Sequence, residues 1–120
     1  MTGRGPIHYL DQMQRAATEA CHFVRGIERA SFLADDRTQY AVAYSLCVIG
    51  AAAAQLLHDY PEFGPDHPDL DWNEMQTMSK RLLSDGIAAN VEDVWTTVGH
   101  AIPELLTQLE SIRRWRAEGE

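Results

Sequence analysis

Apolar side chains recur along this chain at intervals of three and four residues, and nowhere do they alternate for long enough to argue a strand. After Pro6, which suits a first helical turn, Ile7, Leu10, Met13, Ala17, Cys21, Val24 and Ile27 share one face. Arg15, Glu19 and Arg25 lie off it, so the spacing predicts a long amphipathic helix. "ERASFLADD" (28–36) breaks the period and predicts a short turn of helix at a corner. Asp35 and Asp36 then stand ready to cap and charge-stabilise a second long helix running to about His58. That helix is apolar nearly all round, which places it at the centre of the fold, and the small residues of "GAAAA" (50–54) let a neighbour approach closely.

Residues 59–71 form an acidic, proline-rich stretch in which helix growth should stop, and they are expected to be a solvated connector. Asp71 followed by Glu74 has capping-box-like spacing and opens a third helix, "WNEMQTMSKRLLSDG", for which Gly86 is a natural stop. Asn90 with Asp93 is expected to open a fourth in the same way. Its stripe of Val94, Val98, Ile102, Leu105, Leu109 and Ile112 contains Pro103, whose ring removes a backbone donor and should kink the helix. The expected architecture is all-α: one domain over residues 1–120, an up-and-down bundle of four main helices plus a short corner helix. Residues 1–5 are expected to be flexible and 117–120 frayed.

Composition narrows the function classes. The 120 residues are 45% hydrophobic and 23% charged, as in a soluble globular domain. The net charge of −8 repels phosphate backbones, so nucleic-acid binding would need a local basic patch. Cys21 and Cys47 cannot make a disulfide framework and read as reduced core residues. The N-terminal "MTGRGPIHYL" has no apolar signal core, and the run 41–57 falls short of a membrane span; a cytoplasmic location is the expectation.

The order of "SFLADDRTQYAV", "LCVIGAAA", "YPE", Trp72, "VEDVW" and "IPELLTQLE" resembles the HepT-like ribonuclease family, the toxin half of a bacterial pair whose antitoxin is a minimal nucleotidyltransferase. The resemblance covers nearly the whole chain, and "FLADDRTQYAV" and "VEDVWTTVGHAIPELLTQLE" are its most specific parts. It implies a helical bundle that pairs as a homodimer, with clefts between protomers. It also implies a motif of Arg, usually Asn next, His five places after the Arg, and Tyr two beyond. Arg can fork onto phosphate and stabilise the charge built during attack by the RNA 2′-hydroxyl. His titrates near neutrality and can move the proton. Tyr orients the phosphate and, in the family, accepts nucleotide from the antitoxin.

Trp72 and Trp95 stand at the family's separation. Counting from Trp72, the Arg place falls on Ser79, the Asn on Lys80, the His on Ser84 and the Tyr on Gly86. The acid common in the family after "IG" is replaced by Ala51. A serine hydroxyl does not titrate near neutral pH, Ser79 offers a neutral donor in place of a charged fork, and Gly86 has no hydroxyl to modify. General acid–base help is worth about 10²–10⁴-fold.

Other places for chemistry are few. Lys80 and Arg81 could still touch phosphate, although cations are favoured near a helix C-terminus in any case. "HDY" copies the His–x–Tyr half of the motif at His58 and Tyr60 without an upstream Arg. His100 lies one residue off the fourth helix's apolar stripe, and His8, His22 and His67 have no partner at a metal-ligand spacing. Arg113, Arg114, Trp115 and Arg116 are the one basic–aromatic patch.

Two readings follow. The first is a catalytically impaired, dimeric interaction protein that partners a nucleotidyltransferase in a toxin–antitoxin-type pair, with no metal or cofactor. The second is an active, metal-independent endoribonuclease toxin using relocated residues; the empty motif and the net charge stand against it.

Overall fold

The computed structural model describes residues 5–119, with side chains through Arg114, and is all-α among those residues. Helix α1 spans Gly5–Phe23, α2 Arg29–Leu33, α3 Asp36–Asp59, α4 Phe63–Asp66, α5 Trp72–Asp85, α6 Val91–Thr96 and α7 Ile102–Gly119. A 3-10 turn, Ala88–Asn90, precedes α6, and a π turn, Thr97–Ala101, joins α6 to α7 in one rod. The expected flexible segment 1–5 falls, except for Gly5, outside the described residues, as does Glu120 at the other end.

α3 is the central helix. It packs α1 on one side and α5 on the other, while α7 lies against α1 and the short α2 and α6 close its N-terminal end. Val42, Leu46, Ile49, Ala53 and Leu56 of α3 are buried against Leu10, Met13 and Ala17 of α1 and Met78 and Leu82 of α5. By length and hydropathy α3 could cross a membrane, but half of its most apolar window is buried within the bundle. One of its faces is uncovered, with Tyr40 65% and Tyr44 72% exposed and Ala51 and Ala54 also exposed.

The helix ends follow local chemistry. Asp35 caps α3: its carboxylate accepts from the Thr38 amide at 3.2 Å and the Thr38 hydroxyl at 2.6 Å. Asp71 caps α5 by accepting from the Glu74 amide at 3.0 Å. Gly86 ends α5 at φ +86° and ψ 166°, a conformation almost confined to glycine.

Three expectations are corrected. α1 stops at Phe23, and Val24 and Ile27 sit in a turn around Gly26 at φ +76°, where they still pack partly against the core; Ile7, at the other end, is exposed. Asn90 does not cap α6. It is buried and its Nδ2 donates backward, to the Gly86 carbonyl at 2.8 Å and toward that of Arg81 at 3.5 Å, so it ties off the end of α5. In the connector, Phe63 and Leu70 are buried and one turn of helix forms around Pro65. Pro103 has its effect just upstream, where the helix widens into the π turn.

Candidate functional site

Trp72 anchors the start of α5, and Trp95 on α6 packs against α2. Trp72 is buried, its ring edge-on to Phe63 at 5.9 Å, and its Nε1 donates to the His67 carbonyl at 3.0 Å. Trp95 stacks at 5.1 Å on Phe32, which is fully buried. Between them lie the four positions on which the resemblance places nuclease chemistry.

Ser79 is 8% exposed and lies in the contact between α5 and α3. A Cβ on Gly50 would collide with Ser79 Cβ, stand 2.7 Å from the Met75 carbonyl oxygen and 3.1 Å from Ser79 Oγ. The helices therefore touch backbone to backbone there. Burial raises the pKa of the neighbouring Cys47 thiol, and a hydrogen bond with Ser79 partly offsets the rise. Cys21 is likewise raised by burial, and both cysteines are free and half-buried. Ala51, where the family carries an acid, is one residue along α3 from Gly50.

Ser84 is on another face, exposed, with its hydroxyl donating to Asp85 at 3.1 Å. Gly86 is exposed in its glycine-only conformation. The structure does not bring Ser79, Ser84 and Gly86 together. Lys80 is exposed. Arg81 is half-buried, 3.6 Å from Asp93 of α6, so its charge is already answered within the chain, and its Nε is buried without a partner.

Most of the other candidates are engaged in holding the fold. The Asp59 carboxylate accepts from the Tyr9 hydroxyl and from Gln55 Nε2 at 3.1 Å, with His58 Nδ1 also at 3.1 Å. These bonds, Tyr9 first and His58 next, hold Asp59 below the usual carboxylate range, and the same contact raises Tyr9. "HDY" is therefore part of a clamp between the start of α1 and the end of α3, with His58 exposed and Tyr60 half-buried. His100 is exposed on the π turn. Arg113 pairs with Asp11 across α1 and α7, Arg114 stands 3.5 Å from Glu110, and the side chains of Trp115 and Arg116 lie outside the described residues. Among the described residues no three His, Cys, Asp or Glu side chains converge as metal ligands would.

Two grooves lie away from 79–86. One, of about 450 Å³, runs between α1 and α3 beside Asp11, Arg15, Glu19 and Tyr44. The other, of about 290 Å³, opens between α5 and α7. Sequence patterning missed both, because an all-round apolar α3 does not declare which of its faces its neighbours leave open.

Residues 13–112 match the HepT-like family, described as ribonuclease HepT-like, and the chain belongs to that family. It is 32% identical over 106 residues to the "Probable ribonuclease HepT" of Thermococcus cleftensis, covering 88% of this chain and 94% of that protein. Two further relatives bear RNase names. One, from Caldanaerobacter subterraneus subsp. tengcongensis, is 28% identical over 107 residues, covering 89% of this chain and 93% of its own. The other, from Methanocaldococcus jannaschii, is 32% identical over 81 residues, covering 68% of this chain and 64% of its own. No solved structure matches.

Proposed function

We propose that this chain is a HepT-like protein that has lost the family's nuclease chemistry and acts as a dimeric, cytoplasmic interaction partner of a nucleotidyltransferase in a toxin–antitoxin-type pair. The observation that carries the reading is Ser79, buried where α3 and α5 touch backbone to backbone at Gly50. A serine in that place cannot fork onto a phosphate, and no imidazole stands within 79–86 to move a proton. Gly86 has no hydroxyl for a nucleotidyl group to be transferred to.

Pairing with a second copy is supported by the open side of α3. Tyr40 and Tyr44 are large, exposed and aromatic, the residue type favoured in interface cores. The neighbouring groove carries Arg15 alongside Asp11 and Glu19, so the surface has both charge signs and can be complementary to itself across a two-fold axis.

The test is direct. The purified chain incubated with RNA without metal should leave it intact, expression alone should not slow growth, and the protein should co-purify with a nucleotidyltransferase. Cleavage of RNA at a rate abolished by Lys80→Ala with Arg81→Ala would overturn the reading and establish a nuclease with relocated residues.

A further inference from the structure

The groove between α5 and α7 differs in chemistry from everything around the motif positions. Its floor is apolar: Leu46 and Ile49 come from α3, Met75 and Met78 from α5, and Ile102 and Leu105 from α7. Its rim carries Asp69, Asp71, Glu74 and Glu104, and no Lys, Arg or His lines it. Among the described residues none of these four carboxylates forms an ion pair. Like charges gathered at one mouth without counter-charge repel one another, and a cationic occupant would relieve that repulsion. The groove's end is fixed by Gln108 Nε2, which donates to the Asp69 carbonyl at 2.8 Å and fastens the connector to α7.

We propose that this groove docks a basic amphipathic segment of a partner protein. One or two apolar side chains of that segment would insert between α5 and α7, and its lysines or arginines would lie against the acidic rim. A volume of about 290 Å³ falls just below the roughly 300–1,000 Å³ that encloses a small-molecule ligand, and is enough for one or two side chains. Two methionines in the floor suit it to adapt to the inserted side chain. The rim charges steer and orient the partner, while the apolar anchor supplies the affinity. The inference gives the partner reading above a place on the surface. It fails separately from that reading, since RNA cleavage by the wild-type chain would sink the former and leave the groove's binding unchanged.

The probe is a short Leu/Lys peptide with leucines at i, i+3, i+4 and i+7, labelled for fluorescence anisotropy, beside a peptide of the same composition with scrambled leucines. Ala101 is exposed at the groove, so Ala101→Trp fills it without disturbing the core. Glu74→Lys and Glu104→Lys reverse the rim, and Glu28→Lys and Asp85→Lys are reversals elsewhere on the surface. The patterned peptide should bind more tightly than the scrambled one. Ala101→Trp and each rim reversal should weaken it roughly tenfold or more, and the distant reversals should leave it within about twofold. Equal weakening by near and distant reversals would reduce the effect to net charge and overturn the proposal. So would binding indifferent to Ala101→Trp. A fall in the oligomeric mass of the Ala101→Trp protein without peptide, seen by light scattering, would assign the groove to a second copy of this chain and also overturn it.

Discussion

Gly50 of α3 and Ser79 of α5 meet so closely that the space between the two helices cannot hold one more carbon atom without displacing backbone, because the Met75 carbonyl stands beside them. This contact fixes the distance between the central helix and the helix that carries the motif positions. A residue that the resemblance would make an exposed, phosphate-gripping arginine is here part of the packing.

Gly50→Ala should therefore destabilise the fold by about 1–3 kcal/mol, the range for overpacking a close helix contact. Ser79→Gly in the same chain should recover part of the loss, since it removes one of the two colliding atoms but leaves the Met75 carbonyl. Thermal or urea melts of the single and double variants check this. Strict additivity would mean that the two positions do not share the contact.

Rebuilding the motif as Ser79→Arg, Ser84→His and Gly86→Tyr should yield a less stable protein that still does not cleave RNA. Arg at 79 would enter the packed contact between α3 and α5, where the larger, charged side chain has no room and would be buried. Tyr at 86 would be held at φ +86°, ψ 166°, at a cost of about 1–3 kcal/mol. Gly86→Ala alone isolates that strain and should show a loss of similar size. RNA cleavage by the triple variant would show that the backbone still accommodates the motif.

The helices themselves were legible. Period and caps place α3 and α5, with Asp35, Asp71 and Gly86 at the expected ends, because those ends are decided by neighbours three or four residues away. Misreadings arose where a tertiary contact outweighed a local rule. Val24 and Ile27 continue the apolar period of α1 because the turn around Gly26 also packs on the core, so periodicity alone could not mark where helix ends. Asn90 mimics a cap by its spacing to Asp93, yet its buried amide is spent on the Gly86 carbonyl just past the end of α5. Pro103 announced a break but not the π turn that absorbs it. The positions 79, 84 and 86 could be counted from Trp72; that Ser79 is buried and Ser84 exposed depends on how α5 sits on α3.

The Tyr9–Asp59 clamp makes a pH-dependent contribution at both ends of the scale. Asp59 is lowered from 3.8, so its contribution is present above that value and is lost as pH falls through the lower folded value. Tyr9 is raised from 10.0, so its contribution is present below that value and is lost as pH rises through the higher folded one. Tyr9→Phe should flatten the melting temperature's dependence on pH in both windows and leave its course near neutrality the same. An unaltered acid limb in Tyr9→Phe would show that Asp59 owes its shift to other donors.

Asn90 offers the sharpest test of how the end of α5 is held. Its amide donates to the Gly86 carbonyl at 2.8 Å, just past the end of α5, and reaches toward the Arg81 carbonyl at 3.5 Å, and it does so while buried. Asn90→Ala takes this donor from the Gly86 carbonyl and should cost about 1–3 kcal/mol. Asn90→Asp keeps the shape but turns the donor into a carboxylate oxygen facing carbonyl oxygens, so it should cost more than Ala at neutral pH. Acidification should narrow the gap between the two variants, because a protonated Asp regains one donor. If Asn90 instead acted as the cap of α6, Asp would be the better tolerated replacement. The order of the two melting temperatures at neutral pH decides between the roles.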